Sequence, residues 1–129
     1  ITVNFSRSAS QTNAAGVRQI PCQLCGDCVT GCNYGSKNTL NQNYLPLAKG
    51  LGANIFTQVG VEFIRELEND PEGYRYAVVY LHRTEKGALT RGEVKARNVV
   101  VSAGVVGTCK ILLRSKALGA LTLSDALGS

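Results

Sequence analysis

The chain has 129 residues, of which 44% are hydrophobic and 18% charged, and its formal net charge is +5 at neutral pH. This composition is typical of a folded domain of modest size and excludes an intrinsically disordered segment. The lysines and arginines are scattered without an aromatic–basic cluster, which argues against nucleic-acid binding. No apolar run approaches the roughly 20 residues of a membrane-spanning helix, so we expect no membrane span and favour a cytoplasmic protein.

The first region, residues 1–37, is predicted to be irregular and to end in a cysteine-rich loop. Cys22, Cys25, Cys28 and Cys32 have the spacing C-x2-C-x2-C-x3-C. This spacing matches the run that binds an iron–sulfur cluster in bacterial ferredoxins, because thiolates suit soft iron. A metal site on these four cysteines, a disulfide-bonded or thiol-lined loop, and reduced structural cysteines without metal all remain open.

The second region, residues 38–129, begins with a predicted helix. Apolar residues recur at helical spacing over residues 38–50, and Thr39 is a candidate N-cap. Pro46 should kink or split this helix, because its ring cannot continue the hydrogen-bond ladder.

Three strands with short turns then predict an antiparallel meander. The first is expected over residues 53–59 with an extended continuation over 61–67, the clearest over 74–84, and a short polar one over 92–97. Because both faces of the middle strand are apolar, both should be covered. His82 lies in that strand and is expected to be a strand-face residue, not a catalytic base.

A strand, a glycine turn and a helix complete the chain. Three consecutive valines in residues 98–102 predict a strand buried in a parallel sheet. Residues 102–107 are small and glycine-rich, and a helix is predicted over 108–118. Such a turn lets backbone N–H groups receive a phosphate, although it lacks the full G-x-G-x-x-G pattern, so a plain packing turn is the alternative. The fold class is therefore α+β: a three-stranded antiparallel meander, parallel strands and two helices.

Several segments together carry a family resemblance. Residues 34–45 resemble the G-K-x-[ST]-L-x-x-x-Y-L segment of the cholesterol-oxidase-like branch of the glucose-methanol-choline (GMC) family. Residues 99–115 resemble the late GMC signature, an alanine/glycine turn followed by a leucine-rich helix, and residues 121–128 resemble the stretch that follows it. Their order and separation also fit that family.

The resemblance implies an FAD-dependent oxidoreductase that removes a hydride from an alcohol, with a sterol-like compound as one candidate. Residues 38–129 would form part of the FAD-binding domain, an α/β fold in which the meander is an insertion. Val61 matches the position whose backbone meets the flavin adenine, and Ala103 and Gly104 match the turn near the flavin dinucleotide. The cysteine run is absent from cholesterol oxidases themselves, so it points away from a sterol.

The resemblance also implies that this is an internal piece of a longer chain. The family's first G-x-G-x-x-G unit and its active-site histidine have no counterpart here, so no catalytic residue is assigned. We expect the remainder of the parent chain and a small alcohol as partners, and little activity from the piece alone. The alternatives are an iron–sulfur electron-transfer module and a non-catalytic interaction domain that self-associates through exposed strand edges.

Overall fold

The computed structural model describes residues 3–6 and 9–128. The chain divides into two compact units, Ile1–Ile55 and Phe56–Ser129. Helices and antiparallel sheets occur together, which confirms the predicted α+β class. Within the described residues, none of the helices has the length and apolar character needed to cross a membrane.

The first unit contains a short hairpin and two short helices. Its elements are strands β1 (Gln11–Thr12) and β2 (Arg18–Gln19), a 3-10 helix (Leu40–Gln42) and helix α1 (Tyr44–Gly50). The helix predicted over residues 38–50 is thus split, but at Asn43, whose side chain accepts a hydrogen bond from the Tyr44 N–H. Pro46 falls in the first turn of α1, where a missing N–H breaks no helical bond.

Asn4 holds this unit together from within. It is buried, and its side-chain amide donates to the carbonyl of Gln19 in β2 (3.1 Å). Its backbone N–H donates to Ser36 O (2.9 Å), and its carbonyl accepts from Cys22 N–H (2.8 Å). Because Cys22 and Ser36 lie at the two ends of the cysteine-rich loop, Asn4 fastens both ends of that loop to the hairpin.

The second unit is the predicted meander with one long helix. Its elements are β3 (Val59–Glu66), β4 (Tyr76–Arg83), β5 (Leu89–Ala96) and α2 (Gly104–Ala117). The strands pair antiparallel in the order β3-β4-β5, which confirms the meander. β3 begins later than predicted, because Gln58 adopts a left-handed φ of 58° and bends the chain just before it.

Helix α2 covers the outer edge of β3. Ile64 of β3 and Ile111 of α2 are both buried. The Ile64 N–H donates to Ser115 Oγ of α2 (2.9 Å), and the Glu66 N–H donates to the Ala120 carbonyl just after it (2.9 Å). Two edge donors are thereby satisfied, which protects this edge from pairing with another strand.

The strand predicted over residues 98–102 is not formed, and this prediction is corrected. The described part of the chain holds only the two antiparallel sheets, so no strand lies beside these residues to supply a parallel ladder. Val100, expected to be buried, is 90% exposed. Helix α2 also begins earlier than predicted, at Gly104 instead of residue 108.

Candidate functional site

The turn that opens α2 presents its backbone without a side-chain cap. Ala103 is the N-cap residue, and its methyl group cannot accept a hydrogen bond from the first-turn N–H groups. Gly104 has a left-handed φ of 72°, a conformation that disfavours any residue with a Cβ. The Ala103 N–H donates to Thr108 Oγ1 (3.2 Å), which fixes the turn to the helix. Sequence patterns alone do not mark Thr108 as part of this site.

The same helix start is open and electropositive. No acidic residue lies in the first turn of α2, and Val105 and Val106 are 83% and 81% exposed. A Cβ built on Gly104 would meet nothing within 4 Å, so the backbone can be approached closely from that side. First-turn N–H groups and the dipole of a 14-residue helix favour an anion. The arrangement therefore fits the pyrophosphate of a dinucleotide such as FAD.

Val61 lies in β3 at an irregularity of the strand pairing. It pairs with Tyr80, and the register then shifts so that Phe63 pairs with Val79. Val61 is 40% exposed and lines an open, largely apolar cavity of about 540 Å³ on one face of the sheet. A bulge locally redirects its strand, and this one lies beside the cavity.

The predicted flavin contacts therefore occupy two places within the second unit. Val61 lines the sheet-face cavity together with Tyr80 and His82, whereas Ala103 and Gly104 do not line it. His82 is half-buried in β4 and pairs with Val59 and Thr90. Its position in the ladder agrees with the expectation of a strand-face residue.

The four cysteines of the first unit line one cleft. Cys22, Cys25, Cys28 and Cys32 all border a cavity of about 230 Å³, which we call the four-thiol cleft. None of them is disulfide-bonded. Apolar side chains supply much of the remaining lining: Val3, Phe5, Leu24 and Tyr34.

The thiols do not form a metal centre in this arrangement. Among residues 3–6 and 9–128, no group of three or more histidine, cysteine or acidic side chains is placed to hold a metal ion. The four cysteines of the C-x2-C-x2-C-x3-C run thus border one cavity, but within the described residues they are not arranged around a common coordination point. An iron–sulfur cluster at these residues stays a prediction.

The loop backbone that follows Cys32 influences its thiol. The backbone N–H of Lys37, and after it that of Ser36, lower the pKa of the Cys32 thiol, with smaller contributions from Tyr34 and Gly35. Gly35 has a φ of 66°, which lets consecutive N–H groups turn toward one side. The Lys37 ammonium donates to the Cys28 carbonyl (2.7 Å) and also borders the cleft.

Comparisons with known proteins bear on the whole chain. A family model described as GMC oxidoreductase matches residues 5–122. A cholesterol oxidase of Acinetobacter baumannii is 34% identical over 119 residues, which cover 91% of this chain and 21% of that protein. A cholesterol oxidase of Mycobacterium tuberculosis H37Rv is 34% identical over 116 residues, covering 88% of this chain and 19% of that protein.

A third relative is named for a different substrate. The 2-methyl-1,2-propanediol dehydrogenase of Mycolicibacterium austroafricanum is 35% identical over 94 residues, which cover 73% of this chain and 16% of that protein. The chain spans about a fifth of the length of the cholesterol oxidases that it matches. No solved structure matches the chain significantly.

Proposed function

The chain belongs to the GMC oxidoreductase family, and from this premise we propose that it supplies part of the FAD site of an alcohol-oxidising enzyme. The observation that carries the proposal is the start of α2. There an uncapped helix N-terminus, free of acidic residues, begins at a glycine whose backbone is open to a ligand. When bound, FAD accepts the hydride that leaves the alcohol.

This chain's own contribution is binding and orientation. The N–H groups at the start of α2 hold the pyrophosphate, because they supply donors and a partial positive charge without a competing carboxylate. The backbone at Val61 meets the adenine beside the bulge in β3. Thr108 keeps the turn at Ala103 in the conformation that presents these donors.

We propose an alcohol as the substrate class. The relatives' names include a sterol oxidase and a small-diol dehydrogenase. Since the chain covers about a fifth of the cholesterol oxidases' length, we expect the remainder of the parent protein to complete both the flavin site and the substrate site. The isolated 129-residue chain is expected to bind little FAD and to oxidise no alcohol.

A pair of glycine substitutions in the intact protein tests the proposal. Gly104 and Gly119 sit at opposite ends of α2 with φ of 72° and 64°, and a Cβ at either meets nothing within 4 Å. Replacing either by alanine should therefore impose similar backbone strain, about 1 kcal/mol. Gly104→Ala alone should also obstruct the ligand, and we expect it to weaken FAD affinity by roughly tenfold or more.

FAD affinity is measured by titrating the deflavinated protein and following flavin fluorescence, and thermal melting of each variant reports the strain. Equal FAD affinity in Gly104→Ala and Gly119→Ala would overturn the pyrophosphate assignment. Stoichiometric flavin bound to the isolated chain would contradict the expectation that other parts of the parent protein are needed.

A further inference from the structure

The four-thiol cleft has a use that the flavin site does not explain. Four cysteines within eleven residues of sequence border a single cavity of about 230 Å³, and none of them is disulfide-bonded in this structure. That volume lies below the roughly 300–1,000 Å³ of ordinary small-molecule pockets, so the cleft has little room for a bulky ligand. The cleft is therefore better suited to chemistry at the sulfur atoms than to holding a large organic molecule.

The geometry favours thiol chemistry over metal binding. A metal centre needs three or four ligands directed at one point, and the described residues contain no such group. Disulfide formation needs only two thiols at a time. The turn over residues 27–30 contains Cys28 and ends shortly before Cys32. Both thiols border the cleft, so Cys28 is the cleft thiol nearest to Cys32 in sequence.

Cys32 is placed to react first. It borders the cleft together with Lys37, and the backbone N–H groups of Lys37 and Ser36 lower the pKa of its thiol. Nearby N–H dipoles and a cation favour the thiolate, which is the nucleophilic form of cysteine. Cys32 is half-buried, whereas Cys25 and Cys28 are exposed, so reagents reach the cleft from the side of these two thiols.

We propose that the four-thiol cleft is a site of reversible thiol modification, at which Cys32 exchanges with a low-molecular-weight disulfide and then bonds to a neighbouring cysteine of the cleft. The Cys32 thiolate attacks one sulfur of R–S–S–R, so that a Cys32–S–S–R bond forms and RS⁻ leaves. A second cleft thiolate attacks the Cys32 sulfur and releases the other RS⁻. The protein loses two electrons and two protons, and the small disulfide is reduced to two thiols.

The test uses the intact protein, reduced and then freed of reductant. Metal and acid-labile sulfide are first quantified. The alkylation rate of each cysteine by iodoacetamide near pH 7 is then followed by peptide mass spectrometry, before incubation with oxidised glutathione. We expect Cys32 to be alkylated roughly tenfold faster than Cys109, an exposed cysteine of α2 outside the cleft. Glutathione disulfide should then convert two cleft thiols to an intrachain disulfide that contains Cys32 and is reversed by dithiothreitol.

Two variants keep the proposal falsifiable. Cys32→Ser should abolish that disulfide and slow the loss of thiols, whereas the matched control Cys109→Ser should behave as the wild type. If stoichiometric iron and sulfide, or zinc, copurify with the cleft, the proposal is overturned in favour of a metal centre. Alkylation of Cys32 no faster than Cys109, or a disulfide that forms equally well in Cys32→Ser, would also overturn it.

Discussion

Tyr80 of β4 lies directly over Gly92, its register partner on β5. A Cβ built on Gly92 would come within 2.5 Å of the Tyr80 ring carbon and hydroxyl oxygen. The glycine is thus required for space, and the aromatic ring covers a backbone that would otherwise be bare. Both residues line the sheet-face cavity that also contains Val61, so this contact shapes one wall of the proposed flavin site.

Gly92→Ala should destabilise the meander by about 1–3 kcal/mol, because the ring must leave its place or the strands must separate. Urea unfolding followed by circular dichroism measures the change. Gly60→Ala in β3 is the matched control, since a Cβ there meets nothing within 4 Å. If both variants lose the same free energy of unfolding, strand propensity and not the Tyr80 ring causes the destabilisation.

The meander and its helix were predictable from the sequence because their patterns are local. A run of aromatic and branched apolar residues on both faces predicts β4, and turn residues separate it from its neighbours. The GMC resemblance is likewise confirmed, since the family model spans most of the chain. The late start of β3 was not predictable, because nothing in the residue type marks Gln58 as a left-handed bend. Residues 98–102 have the pattern of a buried strand but do not form one. Such a strand needs neighbouring strands, and the described residues supply none beside it.

The sequence also predicted some features of the candidate sites and not others. A glycine-rich turn was predicted over residues 102–107, but α2 already begins at Gly104, and the flavin contact of Ala103 and Gly104 stays a prediction. The spacing of the cysteines predicted a shared loop, but not whether the thiols would converge on one point, since that depends on how Asn4 and Ser36 fix the loop's ends. Contacts distant in sequence, such as that between Ile64 and Ser115, leave no local signal at all.

Ser115 is expected to be the most sensitive polar residue of the second unit. It is fully buried, accepts from the Ile64 N–H (2.9 Å) and donates to the Ile111 carbonyl (2.8 Å). Ser115→Ala leaves the Ile64 N–H without this partner and should lower the free energy of unfolding by about 1–3 kcal/mol. Hydrogen exchange should show faster exchange at Ile64. The exposed Ser124→Ala is the control, and an equal effect there would contradict the role given to Ser115.

Asp70 should make stability depend on acidic pH. The hydrogen bond from Lys95 (2.6 Å), and after it those from the Glu72 and Tyr74 N–H groups, lower the pKa of the Asp70 carboxyl. A lowered folded-state pKa means that the stabilisation is complete above the unfolded value of about 4 and is lost as pH falls through the folded pKa. Asp70→Asn should therefore be less stable than wild type near neutral pH.

The difference in free energy of unfolding between wild type and Asp70→Asn should shrink as pH falls through the lowered folded-state pKa of Asp70, below which both side chains are uncharged. Unfolding curves across this range measure it. Asp125→Asn serves as the comparison, because Asp125 pairs with Lys116 but is fully exposed. If the free energies of unfolding of wild type and Asp70→Asn differ by the same amount at every pH, the charge of the Asp70 carboxyl contributes nothing to stability.

Glu62 joins the bulge in β3 to two basic residues. Its carboxylate contacts Arg91 of β5 (3.0 Å) and Arg114 of α2 (2.9 Å), and its own side chain is only 13% exposed. Glu62→Gln removes both ion pairs and should cost about 1 kcal/mol at low salt, since the two arginines are themselves partly exposed. Raising salt to about 1 M, where the screening length is ~3 Å, should reduce the difference in free energy of unfolding between Glu62→Gln and wild type. Glu85→Gln in the β4–β5 turn should change neither the free energy of unfolding nor its dependence on salt. If Glu62→Gln loses the same stability at every salt concentration, the cause is lost packing and not lost charge.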